Sequence, residues 1–344
     1  MKNTLIYLLI FLISFQSFSQ VNNTFKKKKS VKIQKITKLD KDLVSDGTFG
    51  DVISRFNLPD VKSITKVFLV NNKNYLFDIT VSGIATIKQI NSDGTIGRDV
   101  KQYNWSSDWL TAEFYNINNK TYLFLYKTST GTVHIHLMNN DGTVGEMIFD
   151  KKWSKEWSGI ELYTVNNQMY LFLIKYSGLV RIHKMNSDGL VGNLVKEYHW
   201  TNDYTTSKFY TVNNETYLIL YKSGRYKSAA INLGETSFGD VKVHKINQDG
   251  SVGDLIMDRE WTEGWGGFHF YSTNNNTYLY ISKRSAKKRI HKIGERGLVG
   301  ELVKEYYNNS DEPRALRYFS IGNNTYAVTN NYGNSGEHNI NKVK

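Results

Sequence analysis

The sequence predicts an all-β fold, a six-bladed β-propeller made of four-stranded antiparallel blades. The prediction depends on a unit that is repeated about six times with a period of about 47 residues. A repeat of this length that holds four short strands is typical of a propeller blade. Three residue types mark the repeat: a turn glycine, a strand tyrosine and a linker tryptophan. The glycines are Gly47, Gly94, Gly142, Gly189, Gly250 and Gly297, and the tyrosines are Tyr75, Tyr122, Tyr170, Tyr217, Tyr278 and Tyr326.

The third copy shows how one unit divides into strands. Aromatic and branched side chains fill four runs, residues 160–165, 169–176, 179–185 and 190–198. Asn166-Asn167 and Ser177-Gly178 separate the first three runs and are typical turn sequences. Asp188-Gly189 provides the positive φ angles that a tight hairpin needs. The second strand is apolar on both faces, which predicts burial between two neighbouring sheets.

The two ends of the chain predict a closed ring. Residues 31–36 and 46–56 match the third and fourth strands of a blade, whereas 317–321 and 325–331 match the first and second. Residues 339–343 match a third strand weakly. Pairing of the N- and C-terminal strands completes a sixth blade and removes exposed sheet edges. An open stack of blades or a five-bladed ring is the alternative.

The N-terminus predicts export. Residues 1–19 form a cleavable signal peptide, in which Lys2 precedes the apolar run 5–15. Residues 20–30 form a disordered basic leader, and residues 31–344 form a single propeller domain. The apolar run is shorter than the roughly 20 residues that span a bilayer. No cysteine follows it to carry a lipid anchor. We therefore expect a bacterial protein that is secreted or periplasmic, without a transmembrane segment.

The net charge and the composition indicate which kinds of partner this protein favours. The formal net charge is +12, which favours anionic partners such as acidic glycans or anionic polysaccharide. Export makes nucleic acid a disfavoured partner, whereas a cell-surface protein stays open. The chain has no cysteine, which excludes a disulfide framework. We expect a monomer without a cofactor.

One face of the propeller carries the candidate ligand-binding residues. In an up-and-down blade, the second turn and the link to the next blade share a face, and here both vary between copies. Variable loops on a rigid scaffold usually carry binding. The second strands end there in Lys127, Lys175, Lys222 and Lys283. The links carry aromatic pairs, in the clearest copies as Trp-Ser-x-x-Trp: Trp105 and Trp109, Trp153 and Trp157, Trp200 and Tyr204, Trp261 and Trp265.

These residue types suit acidic sugars, because aromatic rings stack on sugar rings and cations hold carboxylates or sulfates. A tryptophan that recurs in every blade, however, more often packs between blades than contacts a ligand. We assign packing to the first position of each pair and ligand contact to the second, where Tyr204 replaces tryptophan in one copy. Lys62 and Glu312 hold the second position in the first and last copies, so about four sites at most are expected.

One histidine recurs in each of four copies, six residues before the turn glycine. These residues are His136, His183, His244 and His291. A ring of blades holds them far apart, so we expect no metal site. We interpret them as hydrogen-bonded strand residues.

The repeated segments resemble those of bacterial exported β-propeller proteins of lectin type. The likeness is carried by Thr-Tyr-Leu-Phe-Leu-Tyr-Lys, by Ile-His-x-Met-Asn-x-Asp-Gly-x-Val-Gly and by the tryptophan links, over residues 31–343. The layout is similar to that of tachylectin-type and fucose-binding propeller lectins, which implies sugar sites at or between blades. We therefore expect a secreted, non-enzymatic, carbohydrate-binding propeller with several sites that favour acidic glycans.

Two other functions remain open. The step from Gly189 to Gly250 is 61 residues, which places an insertion in residues 223–240, and this loop is a candidate contact for a protein partner. A glycosidase or lyase at the central channel is the second alternative. It requires a close pair of carboxylates, and Glu235 and Asp240 in the insertion are the candidates. The sequence contains no catalytic motif, and we assign no catalytic residue.

Overall fold

The computed structural model describes residues 46–58, 64–201, 204–223, 238–283, 287–307, 314–330 and 337–344 of the 344-residue chain. The predicted signal peptide, the basic leader and residues 31–36 lie outside the described residues. Lys62, Glu312 and the part of the insertion that contains Glu235 also lie outside them. Within the described part of the chain, no helix is long and apolar enough to cross a membrane.

The described residues form six four-stranded antiparallel sheets, which confirms the predicted six-bladed propeller. The strands are β1 (Phe49–Asn57), β2 (Ile64–Val70), β3 (Lys73–Ile79), β4 (Ile84–Ile90), β5 (Ile96–Asn104), β6 (Thr111–Ile117), β7 (Lys120–Tyr126), β8 (Thr132–Met138), β9 (Val144–Lys152), β10 (Trp157–Val165), β11 (Gln168–Lys175), β12 (Leu179–Met185), β13 (Val191–His199), β14 (Tyr204–Val212), β15 (Glu215–Lys222), β16 (Phe238–Ile246), β17 (Val252–Thr262), β18 (Trp265–Thr273), β19 (Asn276–Lys283), β20 (Lys288–Ile293), β21 (Val299–Tyr306), β22 (Arg314–Ile321), β23 (Asn324–Asn330) and β24 (Glu337–Val343).

Five blades are built from consecutive strands. Blade 1 is β2-β3-β4-β5, and blades 2 to 5 continue in the same way to β21. The first strand of every blade is innermost, and these strands contact one another around the axis. The contacts are β2 with β6, β6 with β10, β10 with β14, β14 with β18, β18 with β22, and β22 with β2. The last of them closes the ring.

The sixth blade joins the two ends of the described chain. Its strand order is β22-β23-β24-β1, and β1 pairs antiparallel with β24, with Arg55 opposite Asn339. The predicted closure by N- and C-terminal strands is confirmed. The weakly matching C-terminal segment is the third strand of this blade, so the blade takes three strands from the C-terminal end and one from the N-terminal end.

The glycine and tyrosine that mark the repeat are the two halves of one contact between blades. Gly189 in the last turn of blade 3 lies against the Tyr122 ring of blade 2, and its φ is +86°. A Cβ at this position would lie less than 3.0 Å from atoms of that ring. The Tyr115 hydroxyl donates to the Gly189 carbonyl oxygen at 2.7 Å. The same contact recurs around the ring, and Gly47 against Tyr278 joins the sixth blade to the fifth.

The second strands form the core, as their apolar pattern predicts. Leu123 and Leu125 of β7 pack toward blade 1, whereas Tyr122, Phe124 and Tyr126 pack toward blade 3. None of these five side chains is more than 2 % exposed. Each blade is therefore buried on both faces of its second strand, and the hydrophobic core consists of the layers between neighbouring blades.

Candidate functional site

The links between blades and the second turns lie on one face, as the blade topology predicts. The Trp153 backbone N–H donates to the Gly131 carbonyl oxygen at 2.8 Å, and the Trp200 N–H donates to the Gly178 carbonyl oxygen at 2.9 Å. A left-handed residue just before the second aromatic position then turns the chain into the next inner strand. Glu156 holds this place with φ 74° and Gly264 with φ 85°.

The second aromatic position of each link is buried between blades. Trp109, Trp157, Tyr204 and Trp265 are 4, 3, 9 and 3 % exposed. The sequence pattern predicts ligand contact at this position and packing at the first, and the observed burial is the reverse of that prediction. The physical reason is the link geometry, because the second aromatic begins an inner strand or lies just before it, against the next blade.

The predicted lysines lie over these buried rings. The Nζ atoms of Lys127, Lys175 and Lys283 lie 4.6, 5.2 and 4.9 Å from the ring centroids of Trp109, Trp157 and Trp265. In the fourth blade, Lys222 is the cross-strand partner of Tyr204. Cation–π attraction of this kind is worth roughly 0.5–2 kcal/mol, depending on how dry the pair is. The structure thus brings the predicted lysines and second aromatics together, and the cations occupy the ring faces.

In blades 3 and 5, a second basic side chain reaches the buried ring from the third strand. The Arg181 and Arg289 guanidinium carbons lie 6.0 and 5.4 Å from the Trp157 and Trp265 ring centroids. Arg181 also pairs with Glu197 at 2.7 Å, and Arg289 pairs with Glu305 at 2.5 Å. Neither arginine is among the predicted ligand-binding residues. They could be found from the sequence because they occupy equivalent places in the repeat. In blade 2, His134 occupies this place.

The first aromatic position is partly exposed and lies beside the recurring histidine. Trp105, Trp153, Trp200 and Trp261 all have this intermediate exposure. The Trp105 ring is nearly parallel to that of His136, with an angle of 8° and a centroid distance of 6.1 Å. Trp200 with His244 and Trp261 with His291 repeat the arrangement. The first position is therefore the one that a ligand can reach.

The histidines contact the backbone of the outer strand. Nδ1 of His136, His183, His244 and His291 lies 3.4, 3.1, 3.2 and 3.4 Å from the carbonyl oxygens of Gly145, Gly192, Gly253 and Gly300. Burial lowers the pKa of each imidazole, which favours the neutral ring. Among the described residues, no group of three or more His, Asp or Glu side chains is placed to hold a metal ion.

Two equivalent cavities open between blades on this face. The cavity between blades 2 and 3 has a volume of about 370 Å³ and is lined by Trp153, Trp157, Arg181 and His183, among others. The cavity between blades 4 and 5 has a volume of about 290 Å³. Its lining includes the equivalent residues Trp261, Trp265, Arg289 and His291. We call these two cavities the interblade sites. Each combines a reachable indole, a guanidinium and a neutral imidazole.

A separate cavity of about 410 Å³ lies where the inner strands converge on the axis. The linings of this cavity and of an adjoining cavity of about 200 Å³, which shares Glu161 and Gly266 with it, together include one ionisable residue from the inner strand of each blade. We call this set the channel ring. The members are Lys66, Glu113, Glu161, Lys208, His269 and Arg317. They are not among the predicted site residues, although they follow the same period of 47 or 48 residues outside the inserted copy. The sequence signal is an ionisable residue that recurs in the first strand of each blade, two residues before the aromatic residue that packs between blades.

Comparisons with known proteins show the fold alone. No protein-family model and no curated protein matches the sequence. The structure is similar to a member of the DUF4221 family from Bacteroides vulgatus, with TM-score 0.50 and 10 % identity over 86 % of this chain and 97 % of that one. It is also similar to BBS1N in complex with ARL6DN (TM-score 0.47, 11 % identity, 87 % of this chain and 97 % of that one). A third similar structure is an α-L-arabinofuranosidase from Clostridium thermocellum (TM-score 0.47, 10 % identity, 72 % and 96 %).

The resemblance to lectins extends no further than the propeller fold. No family-level match to tachylectin-type or fucose-binding lectins was found. Because one fold serves many functions, the function has to be argued from the sites themselves.

Proposed function

We propose that this chain is an exported, non-enzymatic carbohydrate-binding propeller whose interblade sites bind acidic sugars. The observation that carries the proposal is the repetition of one chemical arrangement in two cavities, an accessible tryptophan beside an arginine and a histidine. The proposal keeps the ligand class expected from the sequence. It moves the sugar-stacking role from the second aromatic position to the first.

The interblade sites suit a sugar that carries a carboxylate or sulfate. Trp153 and Trp261 offer partly exposed rings for the apolar face of a sugar. Arg181 and Arg289 offer guanidinium groups for its anion. The cavities are at the lower end of the range for small-molecule pockets, roughly 300–1,000 Å³. Each therefore holds a short segment of a glycan rather than a long stretch of chain.

Repetition of the site favours polymeric ligands. Two sites on one rigid ring that engage the same polysaccharide gain avidity without any new contact, because the second binding event becomes intramolecular. Related arrangements of indole and histidine lie between blades 1 and 2 and between blades 3 and 4. Up to four sites are consistent with the sequence expectation.

The test is a titration of the whole protein with polygalacturonate and its neutral counterpart at low and high salt. We expect salt-sensitive binding of the acidic polymer alone, because exposed charges are screened. The double variant Arg181→Gln, Arg289→Gln loses a charged hydrogen bond in each site, so its Kd for a short oligomer should rise about tenfold or more. The matched control is Lys120→Gln, which removes an exposed cation at the opposite face and should leave Kd within about twofold.

A glycan array with no hits at high protein concentration, acidic glycans included, would contradict the proposal. A single stoichiometric protein partner that sugars do not displace would favour the interaction platform instead. The enzymatic alternative is favoured by Glu113 and Glu161, which lie on neighbouring inner strands of the channel. Turnover of a polysaccharide that is lost in Glu161→Gln would establish it.

A further inference from the structure

The channel ring is a second chemical feature of the molecule, distinct from the interblade sites. Its six members occupy equivalent positions on the six inner strands, so the closed ring brings together residues that are far apart in sequence. Around the axis the order is Lys66, Glu113, Glu161, Lys208, His269 and Arg317. The two acids are neighbours, and the other four positions are basic residues.

Ion pairs join the acidic part of the ring to the basic part. Lys66 pairs with Glu113, and Lys208 pairs with Glu161. The two ion pairs are each neutral overall. With Arg317 added and His269 neutral, the formal charge of the ring is +1. The ring is thus a dipole, with carboxylates from blades 2 and 3 facing a basic arc from blades 4, 5, 6 and 1.

Partial burial strengthens the electrostatic interactions of these charged side chains and leaves them accessible to a ligand. The Lys66, Glu113 and Glu161 side chains are 14, 21 and 18 % exposed. Burial lowers the pKa of Lys66 to about 8, with a contribution from the neighbouring Arg317 and Lys208 and against the opposing effect of the Glu113 carboxylate. A further anion near Lys66 would stabilise its charged form. Burial raises the pKa of Glu161, and the adjacent Glu113 carboxylate raises it too.

Small and polar residues form part of the wall around the ring, beside the apolar Leu110 and Ile160. Thr65, Thr111 and Ser158 contribute hydroxyl groups, and Gly266 contributes no side chain. A Cβ added to Gly266 would meet nothing within 4 Å. Burying charged groups is costly even when they are paired, and a ring of apolar side chains would close this space at lower cost. A channel built in this way is suited to a polar ligand.

We propose that the central channel binds one small hydroxylated carboxylate, a sugar acid, with its carboxylate on the basic arc near Arg317 and its hydroxyl groups donating to Glu113 and Glu161. Arginine holds a carboxylate through two parallel hydrogen bonds. Carboxylate side chains accept hydrogen bonds from sugar hydroxyls. This site is independent of the interblade sites, because it draws its charged groups from all six blades and occurs once per ring.

The experiment is isothermal titration of the whole protein with galacturonate, with galactose and acetate as probes that lack the carboxylate or the hydroxyls. We expect galacturonate to bind at the channel with a stoichiometry of one, and each control probe to bind about tenfold more weakly or worse. Arg317→Gln should raise the Kd for this site about tenfold, whereas Arg181→Gln, Arg289→Gln should leave it unchanged. The latter double variant separates failure of the channel site from failure of the interblade sites.

A second variant guards against a folding defect in Arg317→Gln. Gly266→Leu places a side chain in open space at the channel wall, where the equivalent residue of blade 2 is Leu110. It should weaken galacturonate binding and keep the Tm of the parent. No binding of galacturonate would overturn the proposal, as would binding that Arg317→Gln and Gly266→Leu both leave unchanged, or equal affinity for galactose.

Discussion

At the scale of single residues, the turn glycine shows how one position can satisfy two physical requirements. Gly189 has a left-handed backbone, which an Asp-Gly hairpin needs and which the sequence therefore predicts. Its second requirement is the close approach of the Tyr122 ring from the neighbouring blade. That contact was not predictable from the turn sequence, because it depends on how adjacent blades pack.

The two requirements can be separated by a pair of alanine substitutions. Gly189→Ala adds backbone strain and a clash with Tyr122, and we expect it to lower the free energy of unfolding by about 2–4 kcal/mol. Gly264→Ala is the matched control, because Gly264 has φ 85° and nothing lies within 4 Å of an added Cβ. It should cost only the strain of about 1 kcal/mol. Chemical denaturation measures both, and equal losses would contradict a packing role for the tyrosine.

The aromatic pairs show which parts of this arrangement follow from the sequence and which do not. The lysines and second-position tryptophans do lie together, because both follow from the repeat and from strand order. Their exposure could not be predicted, because it depends on a left-handed turn at Asp108 and Glu156. Unlike glycine, an aspartate or a glutamate in the sequence does not by itself predict a left-handed backbone.

At the scale of elements, the third blade shows how well the repeat predicts strands. The predicted third strand matches β12, and β11 and β13 begin within one residue of the predicted strands. The first strand begins at Trp157 rather than 160, because Trp157 continues the ladder with Lys175 past a register shift. An irregular register is invisible in a pattern of alternating residues.

The outer strands contain a second irregularity, which explains the backbone contact of the recurring histidines. Between Ile182 and His183 the register of β12 against β13 shifts, so that Leu194 lies opposite His183. The same shift occurs beside His136, His244 and His291. The imidazole Nδ1 lies near a glycine carbonyl of the shifted strand. The recurring histidine was identified from sequence, whereas its contact with a β-bulge required the structure.

The closing strand β1 provides a test at the scale of one element. A chain that begins at Leu58 lacks β1, which exposes the edge of β24 and removes Phe49 and Phe56 from the packing between blades. We expect a Tm lower by about 10 °C and more self-association, because an open edge can pair with another chain. The matched control begins at Asp46 and retains β1. Identical Tm values for the two chains, measured by calorimetry, would contradict closure by β1.

At the scale of the whole molecule, ring closure creates features that no single blade contains. The channel ring collects one ionisable residue from each inner strand. Packing of neighbouring blades places Lys66 beside Glu113 and Lys208 beside Glu161, whereas closure of the ring brings Arg317 near Lys66. A single repeat shows its loops and links, but it does not show which inner-strand side chains meet at the axis. The period predicted the fold, but the sign and order of charge around the axis are properties of the assembled ring.

The repeated histidines also give the whole molecule a pH-dependent stability. Burial lowers the pKa of His134, His136, His183, His244 and His291, so the folded state resists protonation of these rings. As pH falls below the unfolded value of about 6.5, the unfolded chain gains protons first, and stability is lost. We expect Tm to fall by roughly 5 °C between pH 7 and pH 5.

The histidine contribution can be distinguished from that of acidic residues by its pH window. Hydrogen bonds from threonine lower the pKa of the turn residues Asp93 and Asp141, so their stabilisation is lost only at more acidic pH. Replacing His136, His183, His244 and His291 by glutamine should flatten the slope of Tm between pH 5 and 7. His199→Gln is the matched control, because that ring is 80 % exposed, and it should change the slope less. A slope that the fourfold variant leaves unchanged would assign the acid sensitivity to other groups.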